Sequence, residues 1–98
     1  MNMQALMQQA QKMQRDIQKK KSELEGELFE GNYEFVTVKF NGKREMISCK
    51  IDSEAVSMDD LEMLQDFIVL ACNDAIKKID KEYDEKMGQY TSMLNGLM

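Results

Sequence analysis

The chain has 98 residues, of which 43% are hydrophobic and 32% are charged, and its formal net charge at pH 7 is −5. A chain of this length forms one domain with a modest core, which excludes a two-domain enzyme with its own cofactor fold and makes self-association an expectation. It contains no histidine, the commonest general base and transition-metal ligand, so we expect no catalytic residue, no metal site, no cofactor and no small-molecule substrate.

The first predicted element is a helix over residues 3–24, which is rich in Met, Gln, Ala and Lys, all strong helix formers. Gly26 follows it and predicts its end. Apolar residues repeat along one face in steps of three and four, so we expect this seam to pack against a partner helix or the rest of the fold. Lys20 interrupts the seam, where it either specifies a partner or extends its ammonium group to water. The seam residues are Met3, Leu6, Ala10, Met13, Ile17 and Leu24.

The middle of the chain, residues 27–52, is rich in β-branched and aromatic residues and predicts a three-stranded antiparallel meander. Gly31-Asn32 and Asn41-Gly42 are interpreted as the two breaks between strands, and Asn-Gly is typical of a type I′ hairpin turn. One face of the sheet is expected to be buried, and Phe35 and Met46, assigned to the other side, suggest that this other face is partly covered too. The predicted buried face carries Val36, Val38, Phe40, Ile47, Cys49 and Ile51, and the opposite face carries Thr37, Lys39, Ser48 and Lys50.

The last predicted element is a helix over residues 57–87. Ser57, followed three residues later by Asp60, resembles a capping box that starts this helix. The wide apolar stripe over residues 61–79 predicts that the helix lies on the sheet. Beyond that stripe the helix is expected to project into water, and Gly88 is a predicted stop.

The predicted architecture is a single α+β domain over residues 1–98, with the order α-β-β-β-α and a tail at 88–98. No stretch approaches the ~20 apolar residues that a membrane span needs, so no membrane contact is expected. One small chain has too little core to bury two long helices and three strands. We therefore expect a symmetric homodimer that joins the two sheets and covers their open edges.

Charge is unevenly distributed along the chain. Residues 1–21 carry a net charge of +4, whereas residues 51–98 carry −7. An acidic protein is repelled by nucleic acid as a whole, so any such contact requires a local basic surface. The first helix is the candidate, through Lys12, Arg15, Lys19, Lys20 and Lys21.

Cys49 and Cys72 are the only two cysteines in the sequence, and they do not form a CxxC pair. One disulfide is formally possible. The favoured interpretation is two reduced, buried thiols of a cytosolic protein.

Four segments, taken in order, resemble the YbaB/EbfC family of bacterial nucleoid-associated proteins. The Gln- and Met-rich first helix and the second strand with its turn match in character, as do the end of the third strand and the acidic-to-aliphatic start of the last helix. The segments are MQQAQKMQ (7–14), VTVKFNG (36–42), KID (50–52) and DLEMLQDFIVLACNDAIKKI (60–79).

This resemblance implies a small cytosolic homodimer of the nucleoid, whose central sheet comes from both chains and whose helices project like tweezers. It implies binding to double-stranded DNA through phosphates, with little sequence preference, and an influence on nucleoid organisation and gene expression. It implies no enzymatic activity. Carried over by position, the DNA-binding residues are Lys12, Arg15, Lys19, Lys20 and Lys21 on the first helix, and Lys77, Lys78 and Lys81 on the last.

Two alternatives stay open at this point. The basic cluster of the first helix is equally consistent with a solvated helix face. The acidic C-terminal part and the Met-rich first helix would also suit a dimeric adaptor or chaperone that holds a partner protein.

Overall fold

The computed structural model describes the backbone of residues 2–96 and the side chains of residues 2–90. The predicted α+β class and the order α-β-β-β-α are confirmed. The elements are helix α1 (Met3–Gly26), strands β1 (Leu28–Tyr33), β2 (Val36–Asn41) and β3 (Met46–Ile51), a 3₁₀ turn (Met58–Asp60) and helix α2 (Leu61–Gly96).

Helix α1 begins at Asn2, whose side-chain oxygen accepts a hydrogen bond from the backbone N–H of Gln4 at 3.0 Å. This contact satisfies one of the free N–H groups of the first turn. The predicted seam is confirmed in the second half of the helix, where Met13 and Ile17 are half-buried and Leu24 is fully buried. The end of α1 is thereby anchored to the rest of the fold.

The three strands form one antiparallel sheet in the order β1-β2-β3, so β1 and β3 are its two edges. Cross-strand partners lie on the same face of a sheet. The predicted division of side chains between the faces is confirmed by the pairs Val36–Ile51 and Val38–Cys49 on one face, and Thr37–Lys50 and Lys39–Ser48 on the other.

The predicted strand break at Gly31-Asn32 is wrong, because both residues lie within β1. A β-carbon at Gly31 would lie 2.0 Å from the carbonyl oxygen of Ala71. Glycine is therefore required by the close approach of α2 rather than by a turn. The turn lies at Glu34 and Phe35, and Glu34 takes up the left-handed conformation with a φ of 50°.

The predicted Asn-Gly hairpin is confirmed in position but not in conformation. The positive φ of the loop, 68°, occurs at Arg44 and not at Gly42. The side-chain oxygen of Asn41 accepts a hydrogen bond from the backbone N–H of Lys43 at 2.9 Å, which shapes the loop. Gly42 is needed for packing, because a β-carbon there would lie 1.8 Å from the carbonyl oxygen of Leu24.

Helix α2 is longer than predicted, because it continues through Gly88 to Gly96. Tyr90, beyond the predicted stop, is only 8% exposed, and this packing extends the helix past the glycine. The end of the predicted tail, after Gly96, lies outside the described residues. At the other end, the Asp60 carboxylate accepts hydrogen bonds from the backbone N–H of Ser57 at 3.1 Å and from its hydroxyl at 2.9 Å, which confirms the predicted capping interaction.

The core lies between α2 and the first two strands. No Cα atom of α2 comes within 8 Å of a Cα atom of β3 in the described part of the chain. The apolar face of β3 is therefore covered only at Ile51, which is half-buried against the core. The predicted burial of Ile47 is wrong, because this residue is 56% exposed. The buried core consists of Phe29, Val36, Val38, Phe40, Ala71, Ala75 and Ile79.

Both cysteines are free thiols. The prediction that both are buried is wrong for Cys49, which is exposed on β3, whereas Cys72 is half-buried on α2. Burial, and to a lesser degree the neighbouring Cys49, raises the pKa of the Cys72 thiol. A disulfide needs Cα atoms about 4.4–6.8 Å apart, and the gap of more than 8 Å between α2 and β3 prevents one within the chain.

Candidate nucleic-acid interface

Three of the predicted contact residues form a basic stripe along α1, which we define as Lys12, Arg15 and Lys19. Their spacing of three and four residues places them on one helix face, roughly opposite the seam that contains Ile17 and Leu24. All three side chains are exposed. None of them makes an ion pair with any residue that the structure describes, so three positive charges face solvent together.

Glutamines lie beside the basic stripe. A shallow depression on α1 is lined by Gln11, Gln14 and Gln18 together with Arg15. Side-chain amides donate hydrogen bonds to phosphate oxygens, as arginine and lysine do. No role was predicted for these glutamines, although their spacing of three and four residues in the sequence indicates that they share a face.

Lys20 and Lys21 do not belong to the basic stripe. Lys20 is half-buried and about 100° round the helix from Lys19, although both side chains line one shallow depression at the border with α2. The other lining residues are Asp16, Glu23 and Tyr90. Lys21 is exposed but points to a different side of the helix from Lys20 and the stripe. The predicted cluster of five cations is thus divided among different faces of α1.

The lysines of α2 differ in what they contact. Lys77 and Lys81 are exposed and make no ion pair with a described residue. The ammonium group of Lys78 donates a hydrogen bond to the carbonyl oxygen of Glu30 at 2.7 Å and lies 3.3 Å from the carboxylate of Asp74. Lys78 is therefore engaged in holding β1, in contrast to the other two.

Asp74 and Lys78 of α2 close the outer edge of β1, because they bind the backbone groups that a further strand would otherwise pair with. The Asp74 carboxylate accepts a hydrogen bond from the backbone N–H of Asn32 at 3.2 Å, and Lys78 reaches the carbonyl of Glu30. Both backbone groups point away from β2, so α2 takes the place of a further strand. The Asn32 N–H is the main cause that lowers the pKa of Asp74, and the Lys78 ammonium adds to it against the effect of burial.

The edge of β3 is open by contrast. The strand alternation directs the backbone groups of Cys49 and Ile51 away from β2, and no element of the described chain lies beyond them. Met46 and Ile47 on the same strand are 46% and 56% exposed. Exposed apolar side chains beside an unpaired strand edge are typical of an interaction surface.

Other cations of the chain are engaged within the fold. Lys86 on α2 forms ion pairs with Glu27, just after α1, and with Glu82 at 3.3 Å. The hydrogen bond to Glu27 is the main cause that raises the pKa of Lys86. Arg44 in the loop before β3 pairs with Asp80 of α2. These contacts fix the start and the loop of the sheet to α2, and they distinguish Lys86 and Arg44 from the solvent-facing cations of the basic stripe.

No three Asp, Glu or Cys side chains in the described part of the chain converge in a way that could hold a metal ion. Among the helices of that part, none has the length and apolar character needed to cross a membrane.

The amino-acid sequence matches one known protein family over most of its length. The YbaB/EbfC DNA-binding family matches residues 1–94, which includes the basic stripe, the whole sheet and most of α2. The chain belongs to the YbaB/EbfC DNA-binding family. The resemblance seen in the sequence is thereby confirmed. The YbaB/EbfC family is a family of DNA-binding proteins and not of enzymes.

Individual relatives agree with this assignment. A protein of Ligilactobacillus salivarius named nucleoid-associated protein is 44% identical over 99% of this chain and 95% of its own length. A protein of Chloroflexus aurantiacus with the same name is 46% identical over 99% of both chains. The crystal structure of an uncharacterized Helicobacter pylori protein, 20% identical, has a TM-score of 0.69 over 100% of this chain and 99% of that one, and it shows the same fold.

Proposed function

We propose that this YbaB/EbfC family member is a homodimer that binds double-stranded DNA through the phosphate backbone, with low sequence specificity. The observation that carries the proposal is the basic stripe, in which Lys12, Arg15 and Lys19 share an exposed helix face without an ion pair to any described residue. Lys77 and Lys81 of α2 are exposed as well and supplement it.

Phosphate neutralisation explains how an acidic protein would bind DNA. The chain has 18 acidic and 13 basic residues, so attraction must come from charges close to the backbone. Each lysine or arginine that meets a phosphate releases counterions, and the logarithm of the binding constant falls with the logarithm of salt concentration by about 0.9 per contact. Such contacts position a protein without reading bases, which is why low specificity is expected.

The proposed homodimer joins two chains through β3. Antiparallel pairing of two β3 edges about a two-fold axis would bury Ile47 and satisfy the outward backbone groups of Cys49. The β1 edges, closed by Asp74 and Lys78, would remain at the outside of the joined sheet. The two α1 helices would then project as a pair of arms whose spacing is set by the shared sheet.

The proposed cellular role follows from the family and from the names of the relatives. We propose that the protein associates with the nucleoid in the cytoplasm and influences nucleoid organisation and gene expression. Low-specificity phosphate binding suits this role, because it acts on DNA of any sequence.

A comparison of two double variants tests the interface. Lys12→Gln/Lys19→Gln removes two charges from the basic stripe, and Lys20→Gln/Lys21→Gln removes two neighbouring charges outside it. In fluorescence-anisotropy titrations with duplex DNA at several salt concentrations, we expect the first variant to lose at least about tenfold in affinity. We expect its salt slope to be shallower by about 1.8 for each arm that engages DNA.

The second variant has the same net charge and should lose much less. Circular dichroism spectra of both should match that of the unmodified protein. Equal losses in the two variants would contradict the assignment to the basic stripe. Absence of binding by the unmodified protein at low salt would overturn the proposed function itself.

A further inference from the structure

The sheet has a solvent-facing surface on the side opposite α2, which we call the open face and define by Thr37, Lys39, Asn41, Ser48 and Lys50. These residues alternate along β2 and β3 with the side chains that face α2. Lys39, Ser48 and Lys50 are exposed, and Thr37 and Asn41 are half-buried. The core and α2 lie on the other side of the sheet, so the open face is accessible along both strands.

The charged side chains among the residues that define the open face are both lysines, Lys39 and Lys50, in a protein with more acidic than basic residues. The Glu45 carboxylate, which accepts a hydrogen bond from the Asn41 amide at 3.0 Å, borders the face at its loop end. Neither lysine forms an ion pair with any described residue. The nearest acid across the sheet is Glu30 of β1, the Cα partner of Lys39, and it lies on the far side from β3. Positive charge is therefore concentrated toward the β3 edge.

The spacing of the two lysines suits a phosphate backbone. Thr37 pairs with Lys50 and Lys39 pairs with Ser48, so the two lysines are diagonal neighbours, about 7–8 Å apart at their Cα atoms. Successive phosphates of one DNA strand are separated by a rise of ~3.4 Å along the helix axis and also by the rotation between base pairs, so two lysines at this distance suit neighbouring phosphates. The Ser48 hydroxyl is a neutral group of the kind that also contacts phosphates. The Thr37 hydroxyl and the Asn41 amide already donate hydrogen bonds, to Asn32 and Glu45.

Edge pairing would double this surface. A two-fold axis perpendicular to the sheet keeps the open faces of both chains on the same side, with each Lys50 next to the join. The central strands of the dimer would then present four lysines on one continuous face. This surface is separate from the basic stripe, which lies on a different element.

We propose that the open face is a second DNA contact surface, on which Lys39 and Lys50 bind the phosphate backbone of duplex DNA. This inference rests on the proposed function, since it adds a surface to DNA binding by α1. With contacts on both the sheet and the arm, one dimer holds its duplex at more than one place.

The double variant Lys39→Gln/Lys50→Gln tests this surface by fluorescence anisotropy with two unrelated duplex sequences at several salt concentrations. We expect a loss of at least about tenfold in affinity, equal for the two sequences, and a salt slope shallower by about 0.9 for each phosphate contact removed. Lys39→Arg/Lys50→Arg keeps the charge and should retain binding. Circular dichroism and sedimentation should show an unchanged fold and oligomeric state for both variants.

Overall charge is controlled by Gln65→Glu/Asn73→Asp, which changes the net charge by the same two units on the exposed side of α2. This variant should bind nearly as well as the unmodified protein. A loss equal to that of Lys39→Gln/Lys50→Gln would overturn the inference, because the effect would then come from net charge.

If the unmodified protein binds and Lys39→Gln/Lys50→Gln binds equally with the same salt slope, the inference is also overturned while the proposed function stands. If the unmodified protein does not bind, the proposed function fails first.

Discussion

The two edge strands of the sheet differ in whether their outward backbone groups have hydrogen-bond partners. At β1, side chains of α2 bind the outward backbone groups of Glu30 and Asn32. At β3, the outward backbone groups have no partner element in the described chain, and Ile47 is exposed beside them. A sheet with one closed edge and one open edge offers a single place for strand pairing. The difference would direct the proposed association of two chains to β3 without an additional element.

The closed edge depends on a match between the rise along helix α2 and the rise along strand β1. Asp74 and Lys78 are four residues apart on a helix, a rise of about 6 Å. Glu30 and Asn32 are two residues apart on a strand, a rise of about 6.7 Å. The acceptor Asp74 and the donor Lys78 are therefore spaced along the helix at nearly the same interval as the backbone N–H of Asn32 and the carbonyl of Glu30 along the strand.

The largest expected effect comes from separating α2 from the closed edge. Gly31→Val places a side chain where a β-carbon would lie 2.0 Å from the backbone oxygen of Ala71. Backbone atoms on both sides cannot yield locally, so we expect the free energy of unfolding to fall by about 3 kcal/mol or more. Urea denaturation followed by circular dichroism measures this change.

The matched control for this variant is Gly88→Ala. Gly88 lies within α2, and a β-carbon there would meet no atom within 4 Å. We expect a gain of about 0.5–1 kcal/mol, because alanine is the better helix former. A Gly31 variant as stable as the original protein would show that α2 does not lie against β1 as described.

The next effect concerns the open edge. Ile47→Lys puts a charge in the surface that the proposed dimer buries, and burial of an isoleucine side chain contributes about 1.5–3 kcal/mol. We therefore expect dissociation of the dimer to become easier by about 2 kcal/mol per chain, with a folded monomer at micromolar concentration. Sedimentation velocity over a concentration series measures this shift.

Ser48→Lys adds the same charge to the neighbouring residue, whose side chain lies on the open face and not on the side of Ile47. This control should sediment like the unmodified protein. Dissociation of both variants to the same extent would contradict the pairing of two β3 edges.

The smallest effect concerns the charge of Asp74. Its folded-state pKa is lowered, above all by the hydrogen bond from the Asn32 N–H, so it stabilises the fold at pH values above its unfolded pKa of about 4. This contribution is lost as pH falls through the lowered pKa of the folded state. Asp74→Asn should cost less than about 1 kcal/mol at pH 7, because the side chain is partly solvated.

The difference between Asp74→Asn and the unmodified protein should shrink as the pH falls from 7 to 3, in urea titrations at each pH. Lys78→Gln is the companion variant, since it removes the other half of the closed edge without removing the carboxylate. A difference for Asp74→Asn that stays constant over this pH range would show that its carboxylate does not stabilise the edge through its charge.

Element order and the two faces of the sheet could be predicted because they depend on local repeats. The alternation of Val36 and Val38 with Thr37 and Lys39 needs no knowledge of tertiary contacts. The role of Gly31 could not be predicted, since a glycine in a turn and a glycine under a helix look the same in a sequence. Only the distance to Ala71 distinguishes them.

The candidate site shows the same limit. The concentration of cations on the first helix was visible in the sequence, but their difference in exposure was not. Lys19 and Lys20 are adjacent in the chain, yet Lys19 is exposed and Lys20 is half-buried. The role of Lys78 depends on a hydrogen bond to Glu30, 48 residues away in the chain. Contacts over such separations follow from packing and not from a local pattern.

The continuity of α2 has a mechanical consequence. This one helix of 36 residues, about 54 Å long, packs on the sheet with its first part and meets α1 with its later part, at Tyr90. An uninterrupted helix contains no joint, so a sharp change of angle between its two parts would break backbone hydrogen bonds of α2. In the proposed dimer the separation of the two arms would therefore be nearly fixed, and curved, straight and crossing duplexes would be distinguished by their fit to that gap.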